Sequence, residues 1–258
     1  MHAAGVVLAG GRSSRMGTAK AALEWHGSTM LYRTVALLGR TVDGPLVVVA
    51  SPGQVLPPLP AGAEVVADPV EGRGPLVGIG AGLAAVAGRA PVAFVCSTDM
   101  PFLHPAFVRR VLSAVRPGVD VALPHARGFR QPLAAAYRPD LAALVRAILE
   151  EHPPGKLGPG LLFARCAVAR LDDAALLADA DVARLDPDLD SVLNVNTPDE
   201  YTAARARQAA VVRVEGIGPV RAATLGELHP TGPVTLNGGP VGTDPYLPMV
   251  AGDTVRFG

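Results

Sequence analysis

The sequence predicts an α/β fold: a three-layer, doubly wound and mostly parallel sheet, followed by a small β-rich C-terminal appendage. Three observations predict it. Patterns typical of buried strands alternate with helical patterns over residues 3–152, a glycine-rich loop follows the first strand, and short β-like runs replace this alternation after residue 210. Strands that alternate with helices favour right-handed βαβ units, in which helices cover both faces of a parallel sheet.

Each element of the first half is predicted from its apolar pattern. Short β-branched runs bounded by glycine, serine or proline indicate buried strands, and apolar residues at helical spacing indicate helices. Ser28 is a candidate N-cap of the first helix, and Pro75 opens the second. In chain order the predictions are strand 3–9, helix 28–40, strands 45–51 and 63–69, helix 75–89, strand 91–97, helix 105–116, strand 119–124 and helix 140–152.

The chain beyond residue 152 alternates less regularly. The helix predicted to begin at Pro198 has two acidic residues in its first turn, which is typical of a helix N-terminus. The remaining predictions are a loop over 153–160, a short helix over 172–180, a strand over 191–197, a helix over 198–210, and β-like runs over 211–216, 233–239 and 253–258.

The change in pattern predicts two domains. The main domain covers residues 1–208, and a small β-rich module of unknown role covers residues 211–258. A module of about 48 residues buries too little surface to be stable by itself, so we expect it to pack against the main domain.

The composition argues against several classes of function. The 258 residues include 23 basic and 23 acidic side chains, and aromatic residues make up 4%, so neither a nucleic-acid-binding face nor an acidic tail is predicted. No apolar stretch reaches the roughly 18 residues that span a bilayer, and the N-terminus lacks the basic region of a signal peptide. Two cysteines are too few for a disulfide framework. We therefore expect a soluble, cytoplasmic protein with no nucleic-acid or membrane partner.

The loop LAGGRSSRMGTAK, residues 8–20, is the most informative segment. It follows the first predicted strand, and parallel α/β sheets bind ligands at the carboxyl ends of their strands. Glycine lets backbone N–H groups approach a phosphate, and Arg12, Arg15 and Lys20 add charge. The loop contains neither GxxxxGK[ST] nor GxGxxG, which excludes the P-loop and the dinucleotide fingerprint. A glycine-rich turn with solvated arginines is the alternative interpretation.

The loop, with Leu23 three residues after its lysine, resembles the signature loop of the sugar-phosphate-type nucleotidyltransferases. It is most similar to that of the molybdenum cofactor guanylyltransferases. Three later segments continue the resemblance, which spans about residues 5–205: Asp-Pro and Gly-Pro-Leu-Val-Gly within 68–78, Asp-Met-Pro-Phe at 99–102, and Asn-Val-Asn-Thr-Pro at 194–198.

The sequence departs from the pattern of this family at three positions. Val77 replaces an alanine, and Thr98 stands where the family has a cysteine. Ser51 and Pro52 follow the second strand, where the family has an asparagine, so the residue that contacts the nucleobase is not assigned.

The resemblance implies a nucleotide site at the carboxyl edge of the sheet. Asp68 ends the third predicted strand and Asp99 follows the fourth, so both carboxylates are expected at the edge that holds the glycine loop. An aspartate that merely caps a turn is the alternative for Asp68. The nucleotide-binding residues are then Leu8, Ala9, Gly10, Gly11, Lys20, Asp68 and Asp99.

The resemblance also implies the catalytic residues Arg15, Lys20 and Asp99. Arg15 and Lys20 would neutralise the β- and γ-phosphates. Asp99 corresponds to the metal ligand of the family and would hold Mg²⁺, which takes only one or two carboxylates and otherwise keeps water and phosphate oxygens.

The acceptor site has three weaker candidates. Asn194 and Asn196 fall on one face of the predicted strand, and their amides could bind a pterin or its phosphate. The alternative is a structural segment in which Thr197 caps the next helix. Gln131 lies in a Gln-Pro-Leu segment that resembles one near the acceptor site of the family.

Taken with the resemblance, these residues imply transfer of GMP from GTP to the phosphate of molybdopterin, with release of pyrophosphate. The implied cofactor is Mg²⁺, and the implied partners are GTP, molybdopterin and proteins of molybdenum cofactor biosynthesis or molybdoenzyme maturation. Two alternatives stay open: a related nucleotidyltransferase that uses CTP or another phosphorylated acceptor, and a non-enzymatic nucleotide-binding module. The C-terminal module resembles small β-grasp sulfur carriers, but it ends in Phe257-Gly258 rather than Gly-Gly, so a structural appendage is expected.

Overall fold

The structure, a computed structural model, describes residues 2–10, 20–68, 72–153 and 155–258. Of the predicted glycine loop, residues 8–10 and Lys20 are described, whereas Gly11, Arg12 and Arg15 lie outside the described residues. The strands are β1 (Ala4–Leu8), β2 (Glu24–Trp25), β3 (Ser28–Thr29), β4 (Leu46–Ala50), β5 (Ala63–Ala67), β6 (Ala93–Ser97), β7 (Val121–Ala126), β8 (Phe129–Arg130), β9 (Ala134–Tyr137), β10 (Val168–Asp172), β11 (Val211–Val214), β12 (Gly218–Arg221), β13 (Val234–Leu236), β14 (Gly239–Val241) and β15 (Thr254–Phe257). The helices are α1 (Met30–Gly39), α2 (Pro75–Val86), α3 (Pro105–Ser113), α4 (Leu141–Glu151), α5 (Gly160–Phe163), α6 (Asp173–Leu177), α7 (Ala180–Leu185) and α8 (Pro198–Arg205), with 3₁₀ turns at Lys20–Ala22, Asp190–Val192 and Leu225–Leu228.

The central sheet has the order β10-β7-β9-β6-β1-β4-β5, with β8 paired to β7 at one end. Strand β1 runs parallel to both β4 and β6, and β4 runs parallel to β5. Strand β9 is antiparallel to its neighbours β6 and β7. The predicted α/β fold with a mostly parallel sheet is confirmed, and the four adjacent parallel strands bring their carboxyl ends to one edge.

Helices cover both faces of this sheet. Within β1, Val7 belongs to an apolar core that also contains Leu38 of α1 and Phe107 of α3. Its neighbour Val6 belongs to a second core, shared with α2 and α4. This alternation along one strand makes three layers, because successive side chains of a strand point to opposite faces. Among the described residues, no helix is long and apolar enough to cross a membrane.

The prediction of a strand over residues 191–197 is wrong. A 3₁₀ turn, Asp190–Val192, is followed by extended residues that pair with no strand of the described chain. The backbone N–H of Val195 donates instead to the carbonyl of Asp99, 2.9 Å away, so the segment crosses the end of β6 rather than extending the sheet.

Three strands of the central sheet, β8, β9 and β10, escaped prediction. Strand β9 is alanine-rich and fully buried, and it lacks the β-branched residues that mark a strand. Strand β10 lies at the edge of the sheet, and Leu171 is its one buried residue. At helix α1, Thr29 rather than Ser28 is the N-cap, since its side chain accepts the N–H of Tyr32 at 3.1 Å.

The C-terminal module forms a separate five-stranded sheet of order β12-β11-β15-β13-β14. Its first and last strands, β11 and β15, lie side by side and parallel, and each is flanked by an antiparallel neighbour. A β-rich appendage is therefore confirmed, and the domain boundary between residues 208 and 211 stays a prediction. A 3₁₀ turn, Leu225–Leu228, is the helical element between the two hairpins.

Polar side chains attach the module to the main domain. Arg40, at the end of α1, pairs with Asp253 at 2.5 Å and also donates to the carbonyl of Pro248. Asp253 is 3% exposed and further accepts from the amide of Asn237. Tyr32 donates to Asp244 at 2.7 Å. These contacts explain how a small sheet is held in place.

We expect Asp253→Ala to lower the free energy of unfolding by about 3–5 kcal/mol, because it leaves Arg40 buried without its carboxylate. Urea denaturation followed by circular dichroism measures this change. The matched control is Glu215→Ala, which removes an exposed carboxylate 4.0 Å from Arg256 in the same module and should cost less than about 1 kcal/mol. Equal losses in the two variants would contradict the assigned role of the Arg40–Asp253 pair.

Candidate active site

The carboxyl ends of β1, β4, β5 and β6 surround a cavity of about 510 Å³. Leu8 of β1 is paired with Val49 of β4 and with Ser97 of β6, so the three strands end at the same level. The lining residues come from widely separated segments of the chain: Leu8, Ala9, Gly10, Lys20, Val49, Ser51, Asp68, Gly72, Gly74, Pro75, Gly78, Ser97, Thr98, Asp99, Leu133, Lys156 and Asn194.

A lysine–aspartate pair lies at the edge of this cavity. Lys20 Nζ lies 2.8 Å from Asp99 Oδ2 and 2.6 Å from Asn196 Oδ1. The Lys20 and Asp99 side chains are 21% and 14% exposed, so water screens the pair only partly. The predicted convergence of the glycine-loop lysine with the carboxylate after β6 is therefore present in the structure.

The other oxygen of Asp99 is also held by hydrogen bonds. Asp99 Oδ1 accepts from Ser97 Oγ at 2.5 Å and from Asn194 Nδ2 at 3.1 Å. Hydrogen bonds to an ionised carboxylate are stronger than neutral ones. Asp99 is thus fixed in orientation by donors from two separate segments.

The segment that carries the two asparagines is anchored from both sides. Val195 is 2% exposed, and its backbone N–H binds the carbonyl of Asp99. Glu200 accepts from the backbone N–H of Asn196 at 2.6 Å and of Thr197 at 3.0 Å. Thr197 caps α8 in return, which completes a capping box. The cap therefore has a structural role, and the same segment places Asn194 beside Asp99 and Asn196 beside Lys20.

The beginning of α2 forms the opposite wall. Gly74, the N-cap, has φ +91°, a conformation that favours glycine, and Pro75 occupies the first turn. The N-terminus of a helix attracts anions through its unpaired N–H groups and its dipole. Asp68 lies close to the same helix, with Oδ2 3.8 Å from the position that a Cβ would take at Gly78.

Close approach of two backbones brings a second lysine to the cavity. Leu157 N–H donates to the carbonyl of Arg73 at 2.7 Å, and a Cβ at Gly74 would lie 2.6 Å from the carbonyl oxygen of Leu157. This contact places Lys156 in the cavity lining. The chain has two lysines, Lys20 and Lys156, and both line the same cavity.

The structure brings together most of the described residues that the sequence predicted. Leu8, Ala9, Gly10, Lys20, Asp68, Asp99 and Asn194 line the cavity, and Asn196 contacts Lys20. Gly11 and Arg15 lie outside the described residues, so their roles stay predictions. Gln131 is not among the lining residues; its amide donates to the carbonyl of Ala126 at 3.3 Å.

Sequence reasoning missed several lining residues, among them the polar residues Lys156, Ser97 and Ser51. Lys156 lies in a predicted loop, and its only signal was the rarity of lysine in the chain. Ser97 ends β6 and binds Asp99, two residues ahead. Ser51 is fixed by Gln54, whose side chain accepts the Ser51 N–H and donates to the carbonyl of Ala9.

The neighbouring cysteine is not a nucleophile. Burial, reinforced by the charge of Asp99, raises the pKa of the Cys96 thiol, which therefore stays protonated. Among the described residues, no group of three or more histidine, cysteine, aspartate or glutamate side chains could hold a metal ion. The chemistry around Asp99 is that of one carboxylate, one ammonium group, one hydroxyl group and two amides.

A doubly wound sheet that carries this cluster beside a helix N-terminus is an arrangement typical of nucleotide-binding transferases. The chain belongs to the family described as the MobA-like NTP transferase domain, whose family model matches residues 5–158. The resemblance seen in the sequence is thereby confirmed.

Curated relatives agree with this family. The probable molybdenum cofactor guanylyltransferase of Mycobacterium tuberculosis strain H37Rv is 43% identical over 150 residues, which are 57% of this chain and 73% of that protein. The protein of the same name from Mycobacterium avium strain 104 is 42% identical over 146 residues, 55% of this chain and 72% of its own.

Solved structures share the fold. Molybdopterin-guanine dinucleotide biosynthesis protein A from Archaeoglobus fulgidus has a TM-score of 0.59 and 22% identity, over 78% of this chain and 96% of that chain. The 2-C-methyl-D-erythritol 4-phosphate cytidylyltransferase of Thermus thermophilus has a TM-score of 0.55 and 19% identity, over 80% of this chain and 98% of that chain. The predicted fold class is confirmed by both.

We expect Lys156→Gln to lower kcat/KM for pyrophosphate release about tenfold, because it removes a cation from the wall of the cavity that is expected to hold the triphosphate. A coupled pyrophosphate assay measures this loss. Arg146→Gln is the matched control, since it removes an exposed cation from α4, outside the cavity lining, and should leave kcat/KM unchanged. An unaltered kcat/KM in Lys156→Gln would show that this lysine contacts neither substrate.

Proposed function

We propose that this protein transfers GMP from GTP to the terminal phosphate of molybdopterin and releases pyrophosphate. The observation that carries the proposal is the convergence of Lys20, Asp99 and Asn196 at the carboxyl edge of the sheet. Membership of the MobA-like family and relatives named probable molybdenum cofactor guanylyltransferase support the choice of substrates.

The triphosphate would lie at the carboxyl edge of the sheet, between residues 8–10 at the start of the glycine loop and the N-terminus of α2. The backbone N–H groups of Ala9 and Gly10 both donate to the carbonyl of Val49, so among the described residues it is the N-terminus of α2 that would offer N–H groups to phosphate oxygens. Lys20 supplies a positive charge at the same edge, and Arg15 would supply another. Asp68, in the same cavity, would contact the nucleoside.

The residues present fit a divalent cation. Asp99 Oδ2 and Asn196 Oδ1 both bind the Lys20 ammonium group, so these two oxygens already form a site for one positive charge. Mg²⁺ prefers oxygen ligands and takes one or two carboxylates from a protein. Asp99 would hold it, with Asn194 and Asn196 alongside. When bound, the ion supplies neutralisation of charge on the phosphates.

The reaction would then be an in-line displacement at the α-phosphorus. A phosphate oxygen of the acceptor forms the new P–O bond, and the bond to pyrophosphate breaks. An ionised phosphate needs no general base, so the residues of the chain act by positioning the reactants and neutralising charge. Lys20 and Asp99 both line the cavity, so the Lys20 ammonium group would leave Asp99 and bind a phosphate oxygen when the triphosphate is present.

The assignment of guanine as the nucleobase and of molybdopterin as the acceptor rests mainly on the names of the curated relatives. Ser51 lines the cavity where the family has an asparagine, so use of CTP or of another phosphorylated acceptor is the second candidate. Asn194 and Asn196 are the proposed acceptor contacts, and Gln131 would need to turn away from Ala126 to join them. A cytoplasmic location and partner proteins of cofactor biosynthesis or molybdoenzyme maturation stay predictions.

Pyrophosphate release tests the proposal directly. The protein is incubated with molybdopterin, Mg²⁺ and one nucleoside triphosphate at a time. We expect GTP to give the fastest release, and none without molybdopterin. Faster release with CTP would favour the second candidate. Binding of GTP without release under any condition would leave a nucleotide-binding module.

We expect Asp99→Asn and Lys20→Met each to lower kcat by about 100-fold or more, because each removes a charge that acts on the transition state. The same assay measures kcat, and near-ultraviolet circular dichroism verifies the fold. Glu150→Gln, an exposed carboxylate on α4, is the control and should be silent. Wild-type kcat in Lys20→Met would move the role of phosphate neutralisation to the arginines of the loop.

A further inference from the structure

A second cavity, of about 230 Å³, lies between the main domain and the C-terminal module. The main domain contributes Trp25, Arg33 and Phe102 to its wall, and the module contributes Met249 and Val250. None of its lining residues lines the cavity at the edge of the sheet. It is therefore a separate site.

Trp25 carries a buried donor that has no acceptor. The residue is 3% exposed, and its Nε1–H makes no hydrogen bond among the described residues. Phe102 and Tyr201 pack edge-on against the indole ring, with centroids 5.9 and 6.3 Å away. A buried N–H without a partner is costly and calls for an explanation, such as a ligand.

Arg33 is a half-buried cation in the same wall. Its Nε donates to the carbonyl of Pro101 at 2.7 Å, and no carboxylate among the described residues forms an ion pair with its guanidinium group. Burial, followed by the charge of Arg40, lowers the pKa of Arg33 to about 10. A partly buried cation without an anion is unfavourable, so this guanidinium group has hydrogen-bond donors left for a ligand.

The remaining charges in the wall are already paired. Arg207 lies 2.5 Å from Asp190, which also binds Arg127 at 3.0 Å. Arg207 also stacks on Phe102, 4.5 Å from the ring centroid. Burial lowers the pKa of His26 and of His104, so neither adds a charge at neutral pH. Within the described part of the chain, Arg33 is therefore the positive charge of this wall that lacks a carboxylate.

We propose that this cavity binds a small molecule that carries a carboxylate or phosphate group. The oxyanion accepts from the guanidinium group of Arg33. A small shift of the indole ring, whose Nε1 is buried in the free protein, lets the oxyanion accept from Trp25 as well. The apolar side chains of Phe102, Met249 and Val250 surround the rest of the molecule. The site needs the module, because Met249 and Val250 close one side of it.

Trp25 is the single tryptophan of the chain, so its fluorescence reports on this cavity. The full-length protein is titrated with inorganic phosphate and, separately, with acetate, against sodium chloride of equal ionic strength. We expect a saturable change with at least one oxyanion and none with chloride. The stronger response identifies the phosphate or the carboxylate as the recognised group.

Three variants locate the bound anion. Arg33→Gln should weaken the apparent affinity about tenfold or more, because it removes a charge-assisted hydrogen bond. Arg205→Gln is the matched control: its guanidinium carbon lies 5.8 Å from the centroid of the indole ring, but Arg205 does not line the cavity, so the affinity should not change. Lys20→Met should also leave it unchanged, since Lys20 belongs to the other cavity.

Trp25→Phe provides a measurement that does not depend on Arg33. This variant loses the N–H but keeps an aromatic ring, and the rise in Tm that the oxyanion produces should be smaller than in the wild type. The proposal is overturned if neither oxyanion gives a saturable response, if Arg33→Gln folds and responds as the wild type does, or if Lys20→Met abolishes the response, which would place the anion at the first cavity.

Discussion

The site depends on one carboxylate, that of Asp99. It accepts hydrogen bonds from a lysine, a serine and an asparagine, and the lysine and the asparagine lie 79 and 95 residues away along the chain. A group with so many donors has a fixed orientation, whereas each donor alone would be a weak, partly screened contact. Since these partners meet only after the sheet has formed, the site exists in the folded chain alone.

The sheet places Asp99 through its apolar residues. Pairing of β1 with β4 and β6 sets the level at which the strands end, and that pairing is fixed by side chains that alternate between two cores. Polar residues then follow directly where the apolar runs stop. The apolar residues packed within a strand thus fix the position of the polar side chains that follow its end. Parallel α/β sheets bind ligands at this edge.

This division explains what the sequence could predict. Strands such as β1 and β6 and the polar residues that follow them are local patterns, so Lys20, Asp68 and Asp99 could be assigned to one edge. Strand β9 could not be recognised, because its alanines are buried by its neighbours rather than selected for β propensity. The strand predicted over 191–197 failed for a related reason: its alternation reflects binding to Asp99 on one side and to α8 on the other, not pairing in a sheet. Lys156 reaches the cavity through a backbone contact with Gly74 that no local pattern encodes.

The two arginines of helix α1 and its C-cap show how the module and the main domain fit together. Arg33 and Arg40 are seven residues apart, about two helical turns, so both lie on the side that faces the module. Arg40 meets the carboxylate of Asp253 and the carbonyl of Pro248, so its charge is compensated by the module. Arg33 meets a backbone carbonyl of its own domain and a cavity. The interface thus gives Arg40 a carboxylate but leaves a cavity beside Arg33, and this cavity has room for an anion from solution. The indole N–H of Trp25, in the same wall, also lacks a hydrogen-bond acceptor.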